Sequence, residues 1–169
     1  FSDHSAFGLS LVLGGGEVKL LEHTSVYGVF ANEGVRMEPA AILRIEDADG
    51  TVLEEWKPSK GKRVMDANVV RTLSHVLSDN AARAPVFGAT SPLSLGDRPV
   101  AAKTGTTNNN RDAWLMGYTP SLAVGVWAGN NDNTEMTKSA GGFSAAGPIW
   151  NAFMRRVIRD NPIEPFTPP

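Results

Sequence analysis

Five consecutive residues, Lys103, Thr104, Gly105, Thr106 and Thr107, set a cation, hydroxyl groups and a glycine together at the end of an apolar run. On an exposed edge strand this set makes a carboxylate-recognising surface. Lysine supplies positive potential, and the threonine hydroxyls donate hydrogen bonds to the anion. The missing side chain of Gly105 lets an extended peptide approach and pair with the strand edge. A backbone N–H just past the glycine then faces a carbonyl oxygen and stabilises the oxyanion of a tetrahedral intermediate. Each part answers a need of acyl transfer on a peptide that ends in a free carboxylate. Taken alone, the triplet also arises by chance and Lys103 also reads as a solvated strand-end lysine; taken as a site, Lys103 and Thr106 are the candidate catalytic residues and residues 103–107 the candidate substrate-binding set.

Other polar groups have simpler readings. Gly14, Gly15 and Gly16 precede a helix, but no Gly-Lys-Ser/Thr follows and no βαβ pattern surrounds them, so they read as a loop and not a phosphate cradle. His4, His23 and His75 are too dispersed for a metal motif. No metal or other cofactor is expected. Asn130 to Asn133 lack the ordered acidic positions and terminal Glu of a calcium loop and read as a strand-end turn. Arg111 and Asp112 are expected to pair or cap the turn after residue 107. Trp114, Trp127 and Trp150 sit in apolar runs and read as core. Asn108, Asn109 and Asn110 border the presumed cleft.

The elements that must position the 103–107 segment follow from periodicity. Leu20, Leu21, Thr24, Tyr27, Gly28 and Ala31 recur at helical spacing until Gly34, which predicts a helix over 17–32. Two β-prone runs, 41–46 and 51–56, flank a turn ending at Gly50 and read as a hairpin. Asp66 is a candidate N-cap for a second helix, ending near Asp79, whose face is marked by Val69, Leu73, Val76 and Leu77. Residues 80–97 are rich in Ala, Pro, Gly and Ser without a period and read as a surface loop. Three apolar runs, 98–106, 113–118 and 122–129, are joined by short connections, which favour an antiparallel meander. Pro148 opens a final helix with Ile149, Trp150, Phe153, Met154, Val157 and Ile158 on one face. The order argues for an α+β fold in which helices pack on an antiparallel sheet.

Composition bounds the function. At 169 residues the chain is one domain in size, and its 41% apolar and 20% charged content is ordinary for a globular protein. A net charge of -2 with scattered Lys and Arg gives no footprint for nucleic acid. The absence of cysteine excludes disulfides and thiolate metal sites. No apolar run approaches the roughly 18 residues of a membrane span, and residues 1–4 are not a signal peptide.

Around the central segment, Pro99 to Thr107, then Arg111-Asp112-Ala113-Trp114, Gly117-Tyr118-Thr119-Pro120 and Val126-Trp127-Ala128-Gly129-Asn130, resemble class A penicillin-binding proteins. The likeness extends over Leu13 to Val18, Tyr27 to Gly34 and Ala146 to Trp150, in the family's order along essentially the whole chain. Lys-Thr-Gly belongs with Ser-x-x-Lys and Ser-Asp-Asn to one catalytic set. The resemblance implies part of the penicillin-binding and serine β-lactamase-like fold. It also implies D,D-transpeptidase work on the D-Ala-D-Ala end of peptidoglycan stem peptides, β-lactams as mimics of that substrate, and a site outside the cytoplasmic membrane. A glycosyltransferase domain precedes the transpeptidase in such enzymes, and any membrane attachment lies in that upstream region.

Two short matches to the other motifs fail on context. Ser59 to Lys62 fits Ser-x-x-Lys, but Pro58 and Gly61 place it in a loop, not at a helix start where the lysine could lower the hydroxyl's pKa. Ser78-Asp79-Asn80 reads as a helix end with a polar cap. The expectation is therefore that residues 1–169 form the C-terminal portion of a transpeptidase domain whose nucleophile precedes Phe1. That missing N-terminal part would be the main partner, and the piece alone would not form an acyl-enzyme. It would also lack two strands of the family's five-stranded sheet, leaving the 122–129 strand as an edge. The rivals are a β-lactamase or D,D-carboxypeptidase relative, and a non-catalytic peptide-binding module of the same fold.

Overall fold

A computed structural model describes residues 8–169. A short helical stretch, Gly8–Leu13, leads to α1 (Leu20–Ala31), which opens three residues later than its periodicity suggested. Gly34 follows with φ 90°, and a side chain there would strike the Met65 carbonyl at 2.4 Å, so the stop signal was also a close approach. Strands β1 (Val35–Arg36), β2 (Arg44–Glu46), β3 (Val52–Glu55) and β4 (Lys62–Arg63) come next. β2 and β3 form the expected hairpin, whose turn is held by the Asp47 carboxylate accepting from the N–H groups of Asp49 and Thr51. β4 closes back onto β1, so Lys62 lies in a short ladder and only the preceding residues are loop.

The second helix, α2 (Ala67–Ser78), is capped as expected by the Asp66 carboxylate, which accepts from Asn68 and Val69 N–H. Its inward face agrees with the one anticipated at Leu73 and Leu77, which are half-buried, and differs at the rest. Val70 and Ser74 are buried while Val69 and Val76 are exposed. A polar residue can occupy that face because the Ser74 hydroxyl pairs with the Tyr118 hydroxyl at 2.9 Å.

The reading of 80–97 as a surface loop is corrected in two ways. A third helix, α3 (Asn80–Phe87), begins where the Asp79 carboxylate accepts from Ala82 N–H. Pro85 inside it was the signal against a helix, yet eight residues tolerate one lost backbone bond when both ends are held. Beyond it Leu93 and Leu95 are buried and join the main core. Arg83, whose pKa is lowered by burial, binds this segment together by donating to the carbonyls of Leu77, Leu93 and Ala102 and to the Asn80 amide oxygen.

The meander is present as β5 (Ala101–Thr106), β6 (Asp112–Thr119) and β7 (Leu122–Gly129), antiparallel in that order. The final helix α4 (Gly147–Val157) starts with Pro148 in its first turn, after a wide helical turn over Gly142–Ala146. Its apolar residues divide between two faces: Trp150, Met154 and Ile158 are buried, whereas Ile149, Phe153 and Val157 are exposed. Trp150 fills the space over Gly117, where a side chain would meet the indole at 2.4 Å, and donates its N–H to the Val124 carbonyl. Truncating a buried side chain of this size costs about 3–5 kcal/mol. α4 thus covers one face of the sheet, and α1 covers the other through Tyr27 and Phe30, whose rings lie 6.1 and 6.2 Å from that of Tyr118. Among the described residues no helix is long and apolar enough to cross a membrane.

The tail after α4 returns along the molecule. Arg98 donates to the carbonyls of Ile158, Asn161 and Pro162, which turns the chain at the helix end. Phe166 then packs edge-on against Tyr118, centroids 5.6 Å apart.

Candidate substrate-binding strand

β5 is an edge strand with β6 on one side only. Its pairing parity is set at its end, where Thr107 N–H donates to the Asp112 carbonyl. In an antiparallel ladder the backbone groups of alternate residues turn toward the partner. Lys103, Gly105 and Thr107 therefore pair with β6, and Ala102, Thr104 and Thr106 turn their N–H and C=O groups to the open edge. Two of those outward carbonyls have partners: Arg83 donates to Ala102 O, and the Lys103 ammonium donates to Thr104 O at 2.6 Å. The Thr106 N–H points along the same open edge.

Side chains alternate faces with the same period of two. Lys103 and Gly105 stand opposite Met116 and Trp114, on the face that α1 covers. There His23 lies edge-on to Trp114 at 5.9 Å, its pKa lowered by burial. Lys103 itself is exposed. Thr104 and Thr106 belong to the opposite face, so their hydroxyls and the Lys103 cation leave the strand in different directions, while Thr107 shares the face of Lys103. Thr106 remains exposed at the strand end, and its Oγ1 accepts a hydrogen bond from Gly142 N–H at 3.0 Å, leaving its own proton to be donated.

Gly142 is a positioning contact that the sequence reading missed. A side chain there would sit 2.4 Å from the Gly105 carbonyl oxygen and 2.5 Å from that of Trp114. The backbone at 141–142 is pressed onto the back of the motif. The signal was the adjacent pair Gly141 and Gly142 before a helix start, which had no assigned purpose.

The turn after β5 also differs in detail from expectation. Arg111 and Asp112 do not pair with each other. Arg111 bridges to Asn133 O and to Glu135, and the Asp112 carboxylate takes the hydroxyl of Thr107 and the indole N–H of Trp127. Asp112 thus caps the turn as anticipated. Asn110 donates to Lys138 O, while its carbonyl accepts from Met136 N–H. Asn109 and Asn110 have φ of 59° and 52°, a region asparagine tolerates better than most residues. Asn130 to Asn133 form a turn closed by Asn133 N–H on Asn130 O. Trp150 lies in the core as expected, whereas Trp114 and Trp127 are only half-buried.

Ser59 lies in an extended loop, and Ser78 donates to the His75 carbonyl at the end of α2. His4 lies outside the described residues. Among the described residues no group of three or more His, Asp or Glu side chains is placed to hold a metal ion.

Over residues 4–155 the sequence matches the family described as the penicillin binding protein transpeptidase domain. The chain belongs to that family. It is 38% identical over 166 residues to penicillin-binding protein 1A of Aquifex aeolicus, and 34% identical over 165 residues to penicillin-binding protein 2D of Bacillus subtilis. Each alignment takes in 95% of the chain but only 21% and 23% of those proteins, so the chain spans about a fifth of their length. Among solved structures, the penicillin-binding protein PonA1 from Mycobacterium tuberculosis superposes with a TM-score of 0.81 at 28% identity, covering 95% of this chain and 44% of that one. Penicillin-binding protein 1A from Haemophilus influenzae shares the fold, with a TM-score of 0.76 at 22% identity over 95% of this chain and 29% of that one. The α+β arrangement, an antiparallel sheet with packed helices, is therefore that of the penicillin-binding transpeptidases.

Proposed function

We propose that residues 1–169 are the C-terminal portion of the transpeptidase domain of a class A penicillin-binding protein, supplying the strand that binds substrate. The observation that carries this reading is the edge of β5, where an exposed Lys103 and the outward N–H of Thr106 flank a glycine. An extended peptide can add to that edge through the outward backbone groups of Thr104 and Thr106. Lys103, Thr104 and Thr106 provide the positive potential and hydroxyl donors for its terminal carboxylate, whereas the Thr107 hydroxyl gives its proton to Asp112 and serves the strand end instead. The Thr106 amide takes the developing oxyanion, and Gly105 admits the peptide.

In the parent enzyme a serine from the preceding part of the domain attacks the carbonyl of a stem peptide's D-Ala-D-Ala end. The terminal D-Ala leaves with a proton, and the acyl group passes to an amine of a neighbouring strand. Lys103 tunes the proton transfers. β-Lactams acylate the same serine because they mimic that substrate. The parent's place is outside the cytoplasmic membrane, with any glycosyltransferase domain and membrane anchor upstream.

The test is the intact mass of this chain and of a longer parent chain after incubation with benzylpenicillin. An adduct on the parent and none on residues 1–169 is the expected result. An adduct on Ser59 or Ser78 would overturn the assignment of the nucleophile. A parent with no adduct would favour the rival reading, a peptide-binding module of the same fold.

A further inference from the structure

Thr107 and Asp112 are joined by three hydrogen bonds across the mouth of the β5–β6 turn. Thr107 N–H donates to the Asp112 carbonyl at 3.1 Å, Asp112 N–H donates to Thr107 Oγ1 at 2.9 Å, and the Thr107 hydroxyl donates to Asp112 Oδ2 at 2.8 Å. The second carboxylate oxygen, Oδ1, accepts the indole N–H of Trp127 at 2.8 Å. Trp127 lies on β7, so one carboxylate ties the three strands together at the end where the motif sits. Hydrogen bonds to an ionised acceptor are about twice as strong as neutral ones. The indole reaches the carboxylate across Gly129, where a side chain would meet its ring at 2.6 Å.

Strand ends fray, and β5 ends at Thr106, one residue before the turn. The clamp holds that end. With Thr107 pinned through both backbone and hydroxyl, and Thr106 Oγ1 held by Gly142 N–H, the peptide planes on either side of Thr106 cannot rotate freely. We propose that Asp112 is a positioning residue for acyl transfer: through Thr107 it fixes the direction of the outward Thr106 N–H. This rests on the transpeptidase reading, in which that N–H stabilises the oxyanion. Such a donor acts only if it is already aimed when charge develops.

The test uses the parent chain, with stopped-flow acylation by a fluorescent penicillin and amide hydrogen exchange measured side by side. Thr107→Val is nearly isosteric and removes both hydroxyl bonds, Thr107→Ser keeps them, and Asp112→Asn leaves one acceptor oxygen for the two donors, the Thr107 hydroxyl and the Trp127 indole. Thr107→Val and Asp112→Asn are expected to slow the acylation step 10- to 100-fold at unchanged burst amplitude, with Thr107→Ser within threefold of the parent. Exchange over residues 106–110 should quicken about tenfold in Thr107→Val and not in Thr107→Ser. Acylation by Thr107→Val within twofold of the parent, or a loss of amplitude with the rate constant unchanged, overturns the proposal. Should the unsubstituted parent not acylate at all, the transpeptidase reading falls, and equal exchange protection in Thr107→Val and the parent then removes the clamp as well.

Discussion

Gly142 shows how little room the back of the motif leaves. The 2.4 and 2.5 Å contacts that a side chain would make are with backbone oxygens of β5 and β6, neither of which can swing aside as a flexible side chain would. Gly142→Ala is therefore expected to cut penicillin acylation of the parent by at least tenfold, read by the stopped-flow rate constant, because β5 must shift at Gly105. A second residue-scale expectation concerns Glu33, whose carboxylate forms two hydrogen bonds to Arg71, at 3.1 and 2.7 Å. Hydrogen bonds from Arg71 and Thr167, with the charges of Arg71 and Arg63, hold its pKa down at about 2 from the ordinary 4.5. A depressed carboxyl pKa stabilises the fold above the unfolded value and loses that contribution as pH falls toward the folded one. Glu33→Gln should then lower the Tm at pH 7 by no more than a few degrees, since the pair is partly screened by solvent, and the gap should close between about pH 4.5 and 2. A gap independent of pH would show that the carboxylate charge is not what matters there.

At the scale of elements, the alternation of backbone groups makes a testable contrast within β7. β6 turns alternate residues toward β5, so Val124 and Val126 pair with β6, and Ala123, Gly125 and Trp127 turn their N–H groups to the free edge. In the chain as described, amides 123, 125 and 127 should exchange at least ten times faster than 124 and 126. Equal protection would mean that another strand, from a second copy of the chain, covers that edge. The strands were readable because three apolar runs with connections too short for crossovers admit few arrangements, and α2 because Asp66 announces its cap. α3 was not readable. Its Ala- and Pro-containing sequence has no apolar period, and it is held by Asp79 and Arg83, whose partners include carbonyls 10 and 19 residues away. The division of α4 into two faces was hidden for a related reason. Periodicity says which residues share a side, but not that a wide Trp150 seated over Gly117 would let a narrow stripe suffice. In the motif itself, residue types announced the chemistry, whereas the clamp and the Gly142 contact depend on which loops return to the strand.

For the whole molecule, the tail ties the end of the chain to its first helix. Arg98 turns it at α4, Phe166 meets Tyr118, and Thr167 comes beside Glu33 at a cavity of about 50 Å³ that Phe30, Arg71 and Pro120 help to line. Removing residues 162–169 should lower the Tm by several degrees and speed exchange at the C-terminal end of α1, while Trp150 stays in a buried fluorescence environment. An unchanged Tm would mean that the tail merely rests on the surface. The pairing parity of β5 carries a consequence of another kind, for how the gene can change in length. Deleting one codon inside 101–106 would reverse the inward and outward amides, and the side-chain faces, of all strand residues on one side of the gap, so no single-residue length change there preserves the strand's meaning. Between the bookends Thr107 and Asp112 the same deletion or insertion leaves the ladder in register. Natural length variation and engineered insertions should therefore collect at 108–111 and stop at both ends of it.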